Sequence, residues 1–423
     1  MRLGTVFGSY RGLPKDATRL IYSLTLPAVA YGMLYTDISY FLTNIQGLPD
    51  ITMGLIVTVM GVSTFVSSIP LGIAADKYGR RKILIAGNIL SSASLAVLAL
   101  TINPAILFAA AVLQGAGEGA TSAATSALLA EKCEASKRNS VFSLYGFAQS
   151  IAFGAGSFAI PAVAIFQLLG FANRESHVLL YIALAILSLA STVLMFRISE
   201  SKGFRETKPT ESRRRVKGLF PQKSKGVLAK YVLTGATISF GAGLIIPLMA
   251  RWMNLQYGVS DEISGPILGA ASLVIGVATL ASPYIAKKIG LVKAVVVTQA
   301  TSTLFMFATP LSPNFFAAST VYMVRAFLMN MSSPLEQSMI MGLVAKDERG
   351  AASGISTALW RLPNALSSFI GAWLMGIGFL ALPFFLATAF YSASILMFWY
   401  FFKDTKMPEE IAEGQERVDV QSS

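Results

Sequence analysis

Apolar residues gather along this chain into long runs separated by short polar breaks. The runs fall at about 18–45, 51–75, 82–102, 104–131, 139–167 and 177–198, then at about 227–253, 262–286, 292–311, 314–344, 350–376 and 378–402. A helix needs about 20 mostly apolar residues to cross the hydrocarbon core of a bilayer. Backbone polar groups in lipid must be satisfied within the chain, which a continuous helix achieves. The pattern therefore predicts an all-α membrane protein with about twelve transmembrane helices. Composition supports this: 54% of the 423 residues are hydrophobic and only 13% are charged, roughly half the charged share of an ordinary soluble domain.

The polar breaks alternate in charge. One set contains KYGRRK (77–82), EKCEASKR (131–138), the stretch 287–293 and KDER (346–349), together with both chain ends and residues 199–226. The other contains QGLPD (46–50), INP (102–104), FANRESH (171–177), YGVSDE (257–262) and SPN (312–314), and has almost no Lys or Arg. Lys and Arg stay on the cytoplasmic side during insertion. An even number of spans with both termini cytoplasmic is expected, in the plasma membrane. The net charge of +12 then reports topology and attraction to anionic headgroups, not nucleic-acid binding. The first twenty residues show no short apolar core with a small-residue cleavage site, so no removable signal peptide is expected. A single cysteine, Cys133, excludes an internal disulfide.

Residues 199–226 are charged and contain Pro209, Pro221 and several glycines, which suits a flexible cytoplasmic linker. They separate an N-terminal six-helix bundle (1–198) from a C-terminal one (227–402), and a disordered tail (403–423) follows. The halves look duplicated. GIAADKYGRRK at 72–82 aligns with PYIAKKIGLVK at 283–293, and Arg138 aligns with Arg349 at the same spacing. Parallel repeats of this kind are a recurring transporter plan, so the two bundles should be pseudo-symmetric.

Gly72, Asp76, Lys77, Gly79, Arg81 and Lys82 form G-x-x-x-D-[RK]-x-G-x-[RK]-[RK]. In a chain of this layout the motif resembles the loop between the second and third helices of the major facilitator superfamily, and the resemblance covers residues 18–402. On physical grounds, Gly72 would let its helix approach a neighbour, Gly79 would permit a tight turn, and Asp76 could meet a positive helix N-terminus. The resemblance places that N-terminus at the start of the eleventh span, near Gly350, with Arg349 as a partner. Gly72, Asp76, Gly79, Arg81 and Arg349 are thus expected to act in gating. The second copy departs from the motif, with Lys287 at the place of Asp76. Two further family positions also differ: Ala111 stands where an Arg often precedes the Gln114-Gly115 run, and FGAGSF (153–158) lacks the Gly-Pro pair of many antiporters.

An ionised side chain at mid-bilayer costs about 2.5–3.5 kcal/mol on insertion scales, so charges within the spans mark candidate chemistry. Glu118 lies mid-way along the fourth span, with Gln114, Thr121, Ser122 and Thr125 on its face by three-to-four spacing. This stripe reads as a cavity wall, or alternatively as a carboxylate bonded to a neighbouring helix. Arg325 stands at a similar depth in the tenth span. The resemblance implies that the first, fourth, seventh and tenth helices line a central cavity, across which Glu118 and Arg325 would pair. Arg361, in the eleventh span with Thr357 and Asn364, is a second cation. Asp37, in the outer half of the first span with Tyr40 and Asn44, is a second protonation candidate. Glu336 reads as hydrated, Arg251 as snorkelling, and Trp252 as part of an interfacial belt. His177, the only histidine, falls at a loop edge, which removes a histidine proton relay. Pro27, Pro247, Pro334 and Pro363 mark bends, with Pro247 and Pro363 the better gating candidates.

No P-loop, H-E-x-x-H or Cys/His cluster of metal-ligand spacing is present in the sequence. The expectation is a secondary transporter working by alternating access, with no cofactor, no metal, no catalytic residue and no nucleic-acid partner. Its partners would be a small organic solute, the lipid bilayer and a coupling proton carried by Glu118 and Asp37. Substrate contacts are expected from Arg325, Arg361, Gln114, Tyr31 and Tyr35, with Phe240 nearby. Efflux of amphipathic compounds is slightly favoured over organic-anion uptake or exchange through Arg325 and Arg361, and a lipid scramblase is a remote alternative.

Overall fold

The computed structural model describes residues 14–132, 138–198, 223–344 and 349–404. Among these residues every regular element is a helix. The elements are α1 (Lys15–Ser23), α2 (Thr25–Tyr40), a π turn (Phe41–Ile45), α3 (Asp50–Tyr78), α4 (Arg80–Leu100), α5 (Pro104–Glu131), α6 (Arg138–Phe158), α7 (Ala162–Leu168), α8 (Asn173–Ala190) and α9 (Thr192–Met195). Then follow α10 (Lys225–Gly243), a short 3₁₀ turn (Ile246–Leu248), α11 (Met249–Tyr257), α12 (Asp261–Ile289), α13 (Leu291–Ala308), α14 (Phe315–Leu343), α15 (Arg349–Gly376) and α16 (Leu382–Phe402). The apolar runs correspond to these helices closely. Seven of the helical stretches among the described residues are long and apolar enough to cross a membrane by length and composition alone. The expected 199–226 linker lies largely, and the 403–423 tail almost wholly, outside the described residues.

The duplication is visible in the backbone. Asp50 and Asp261, 211 residues apart, each open a 29-residue helix. Each of those helices ends at a glycine with positive φ, Gly79 (112°) and Gly290 (83°), again 211 apart. Gly47 (74°) and Gly258 (69°) repeat the relation before the same helices. Asn103 caps α5 through Ala105 N at 3.0 Å, and Asn314, 211 residues later, caps α14 through Ala317 N at 3.0 Å. Positive φ is nearly free only for glycine, and an Asn side chain satisfies an orphan helix N–H. Turn and cap chemistry therefore fix the same connections twice.

Residue contacts divide the chain into two compact units. The first comprises residues 1–207, 243–276 and 364–383, and the second comprises 208–242, 277–363 and 384–423. In the first unit, α1 and adjoining ends of α4, α5 and α6 bury Leu20, Leu84, Leu128 and Val141 together. Helices from both halves of the sequence pack here. A Cβ at Gly61 of α3 would lie 2.5 Å from the Ala365 Cβ of α15, and Thr58 donates to the Ala365 carbonyl at 2.8 Å. A Cβ at Gly269 of α12 would meet the Gly154 carbonyl oxygen of α6 at 3.0 Å. In the second unit, Val295, Leu335, Met339, Phe398 and Phe402 join α13, α14 and α16.

The surface is inverted relative to a soluble protein. Leu304, Phe316 and Leu396 are about 70% exposed, while Asn88, Ser92, Ser188 and Thr192 are buried and hydrogen-bonded between α4 and α8–α9. Apolar outside and satisfied polar inside is the arrangement lipid demands.

Candidate functional site

Four side chains converge within the first unit, at the end formed by the Lys/Arg-poor breaks. Asp37 comes from the last turns of α2, just before the π turn. His177 and Tyr181 come from the start of α8, and Asp261 is the first residue of α12. His177 is 0% exposed, and Asp37 and Asp261 are each 1% exposed. Asp261 sits where a helix presents unpaired N–H groups and its positive end. His177 is oriented by its own helix, with Nδ1 2.9 Å from the Asn173 carbonyl one turn earlier. A carbonyl oxygen only accepts, so Nδ1 carries a hydrogen. Nε2 then faces Asp261 Oδ2 at 2.9 Å, and that contact needs a proton of its own. The pair is either imidazolium with carboxylate or imidazole with carboxylic acid.

Tyr181 donates to Asp37 Oδ2 at 3.0 Å. Phe41 stacks on Tyr181 with ring centroids 4.5 Å apart and tilts against His177 at 5.9 Å. The remaining oxygens, Asp37 Oδ1 and Asp261 Oδ1, are buried without a hydrogen-bond partner among the described residues. One ligand-type atom from each of Asp37, His177 and Asp261 lies within 4.8 Å of the others. Such a donor set could hold a small cation. Two bare carboxylates side by side in low dielectric would repel and lose hydration. Tyr40 of α2 lies near the same carboxylates, with Glu262 and Arg251 also close to it.

A second pair flanks the first. Arg251 of α11 grips Asp50 with both carboxylate oxygens, Nε–Oδ1 at 2.6 Å and Nη2–Oδ2 at 2.9 Å. Asn44 donates to Asn254 at 2.7 Å beside it. Asp50 and Asn44 belong to the first half of the sequence, and Arg251 and Asn254 to the second.

Several expectations are corrected here. His177 does not idle at a loop edge: it lies in the second turn of α8, buried and bonded at both nitrogens. Arg251 does not snorkel but forms a bidentate ion pair. Trp252 is not interfacial: it is fully buried and donates to the Leu380 carbonyl at 3.0 Å. Glu336 is bonded to Ser332 at 3.0 Å and to Gln299. Gly72 is not needed for close packing, since an added Cβ would meet its nearest neighbour, Ala123 Cβ, at an ordinary 3.6 Å. The tight approaches of α3 are instead at Gly54 and Gly61.

The other predicted residues fall as follows. Glu118 of α5 is half-buried and accepts from Thr64 of α3 at 3.2 Å. Gln114 and Thr125, at either end of the same stripe, are buried, each with an unpartnered oxygen. Tyr31 and Tyr35 of α2 lie 5.9 Å apart and both meet Phe153 of α6 edge-on, while Phe240 packs against Phe390 at 4.8 Å. Arg361 is half-buried on α15. Arg325 belongs to the second unit, buried beside Tyr391. Gly79 does carry the tight turn, and Arg81 donates to the Ile198 carbonyl at 3.1 Å near the end of α9. The side chains of Asp76 and Arg349 lie outside the described residues.

The sequence profile of the Major Facilitator Superfamily matches residues 20–290 and 231–421. The chain belongs to the major facilitator superfamily. It is accordingly a multi-pass membrane transporter of a solute and not an enzyme. One relative of this superfamily member is Multidrug resistance protein 2 of Bacillus subtilis (strain 168), 20% identical over 368 residues, which are 85% of this chain and 88% of the relative. Solved superfamily structures share the fold. The nucleoside transporter NupG superposes with a TM-score of 0.72 at 12% identity, covering 92% of this chain and 99% of NupG. The D-xylose–proton symporter gives 0.71 at 18% identity, covering 90% and 97%. The human organic anion transporter MFSD10 gives 0.61 at 15% identity, covering 91% and 100%.

Proposed function

We propose that this superfamily member exports amphipathic compounds in exchange for protons, and that Asp37, His177 and Asp261 form a proton-binding latch at its outer end. The buried His177–Asp261 contact carries the proposal. It joins α8 of the first half to α12 of the second, and it cannot form without a proton on it. Opening that end must separate the two residues, expose both carboxylates to water, and let the cluster release or take up protons. Proton uptake and closure at this end are then one event, with Tyr181 and the π turn holding Asp37 in place. The Lys/Arg-poor breaks support placing this end on the outside. Glu118, part-way along α5, would serve as a further acceptor on the way to the inside.

Export of amphipathic compounds is supported by the distant multidrug-resistance relative and by the Tyr31–Tyr35–Phe153 aromatic group on α2 and α6. The test uses proteoliposomes with an imposed pH gradient and a lipophilic cationic dye. Asp37→Asn and Asp261→Asn should abolish gradient-driven accumulation while dye exchange without a gradient persists. Accumulation unchanged in both variants would reject the latch as the coupling site. Transport of anionic dyes alone would replace the export reading with organic-anion exchange.

A further inference from the structure

The second unit holds a buried charge that no proton movement can relieve. Arg325, mid-way along α14, is 2% exposed. Among the described residues its guanidinium makes one hydrogen bond, from Nη2 to the Tyr391 hydroxyl of α16. Its Nε is buried without a partner. The rings of Tyr391 and Tyr322 lie 5.4 Å and 5.9 Å from the guanidinium carbon. The α14 backbone is pinned at this point, because Ser302 of α13 donates to the Arg325 carbonyl at 2.9 Å. No carboxylate among the described residues pairs with it.

A buried aspartate or histidine can shed its charge by exchanging a proton, but an arginine cannot at any physiological pH. A buried charge is otherwise paired. Tyrosine faces and one phenol oxygen stabilise a cation only in part. The position is specific to one half: Gln114, 211 residues earlier, is the repeat-equivalent, and it is equally buried yet neutral. The Tyr391 ring is itself fixed, since a Cβ on Gly241 of α10 would meet it at 2.9 Å.

We infer that Arg325 holds a small inorganic anion of the chloride class in the wall formed by α13, α14 and α16. The side chain is too enclosed to receive a bulky group. With one edge of the guanidinium bound to Tyr391, the planar two-point grip that carboxylates favour is compromised. A monatomic anion needs only a single direction of approach and fits the free Nε–H. This goes beyond the transport reading, because the anion would be resident and bound independently of substrate and protons.

The experiment uses the full-length protein in nanodiscs at constant ionic strength, with chloride or bromide titrated against gluconate. Unfolding temperature should rise saturably with either halide, and radiolabelled chloride should bind stoichiometrically and be displaced by bromide. Arg325→Gln should abolish chloride binding. Tyr391→Phe, which keeps the ring, should still bind chloride but with altered affinity. Absence of chloride binding to the unaltered protein would overturn the inference, as would binding unchanged in Arg325→Gln. So would saturable protection by a small organic carboxylate with none by halide, which would make Arg325 a substrate contact.

Discussion

Replacing His177 by alanine tests the proposed latch most directly, and its effect can be worked from the contact itself. The imidazole and the Asp261 carboxylate meet at 2.9 Å with 0% and 1% of their side chains exposed. Removing the imidazole leaves Asp261 buried beside Asp37 without its bonded partner, which typically costs about 3–5 kcal/mol. The cost has a ceiling, because the carboxyl can take a proton and remain buried. An aspartate in water titrates near 3.9, so protonating one costs about 4 kcal/mol at pH 7 and about 1.5 kcal/mol at pH 5. The closed end carries this cost and the open end does not. The ratio of open to closed should therefore rise by up to about a thousandfold at pH 7 but only about tenfold at pH 5. The readout is electron–electron distance between nitroxide labels at Ile51→Cys and Ile263→Cys, both exposed at this end, in a Cys133→Ser background. Adding Asp261→Asn should restore most of the closed population, since the uncompensated charge is gone. A distance distribution indifferent to His177→Ala, or displaced equally at the two pH values, would refute the reasoning.

Three further outcomes follow from the geometry. Gly79→Ala and Gly290→Ala force a side chain into positive φ and should each lower stability by about 1–3 kcal/mol, whereas Gly72→Ala should stay within about 0.5 kcal/mol; thermal unfolding of purified protein separates them. Gly61→Val places bulk where a Cβ would already be 2.5 Å from Ala365, so it should raise the labelling rate of a cysteine at Ile51 by favouring the open end. Asp50→Ala and Arg251→Ala each strand a mostly buried partner, so the double variant should be less perturbed than the sum of the singles, by about 0.5–3 kcal/mol in a double-mutant cycle.

The helices were legible because lipid leaves the chain little choice: a run of about 20 apolar residues can satisfy its backbone only as a helix. The repeat was legible at the loops where 72–82 aligns with 283–293, which carry Gly79 and Gly290, whereas the matching caps at Asn103 and Asn314 emerged from the structure. The candidate site was legible only in part. Asp37 stood out as a charge inside an apolar run. His177 and Asp261 did not, because each falls at the edge of a run, where a polar residue is ordinary. Their partnership spans 84 positions and depends on which helix ends meet, and one sequence does not report that. A clue was nonetheless present: Asp50 and Asp261 open corresponding helices, and a carboxylate kept at both places invites the question of what each one faces. Gly72 erred the other way, with a familiar motif suggesting a contact that occurs instead about three turns away at Gly61.

The dividing line between the two compact units crosses α15 between Pro363 and Asn364. Proline has no N–H to give, so the ladder of that helix lacks a rung at the place where the chain passes from one body to the other. A rod weakened at a single joint flexes there and stays stiff on either side.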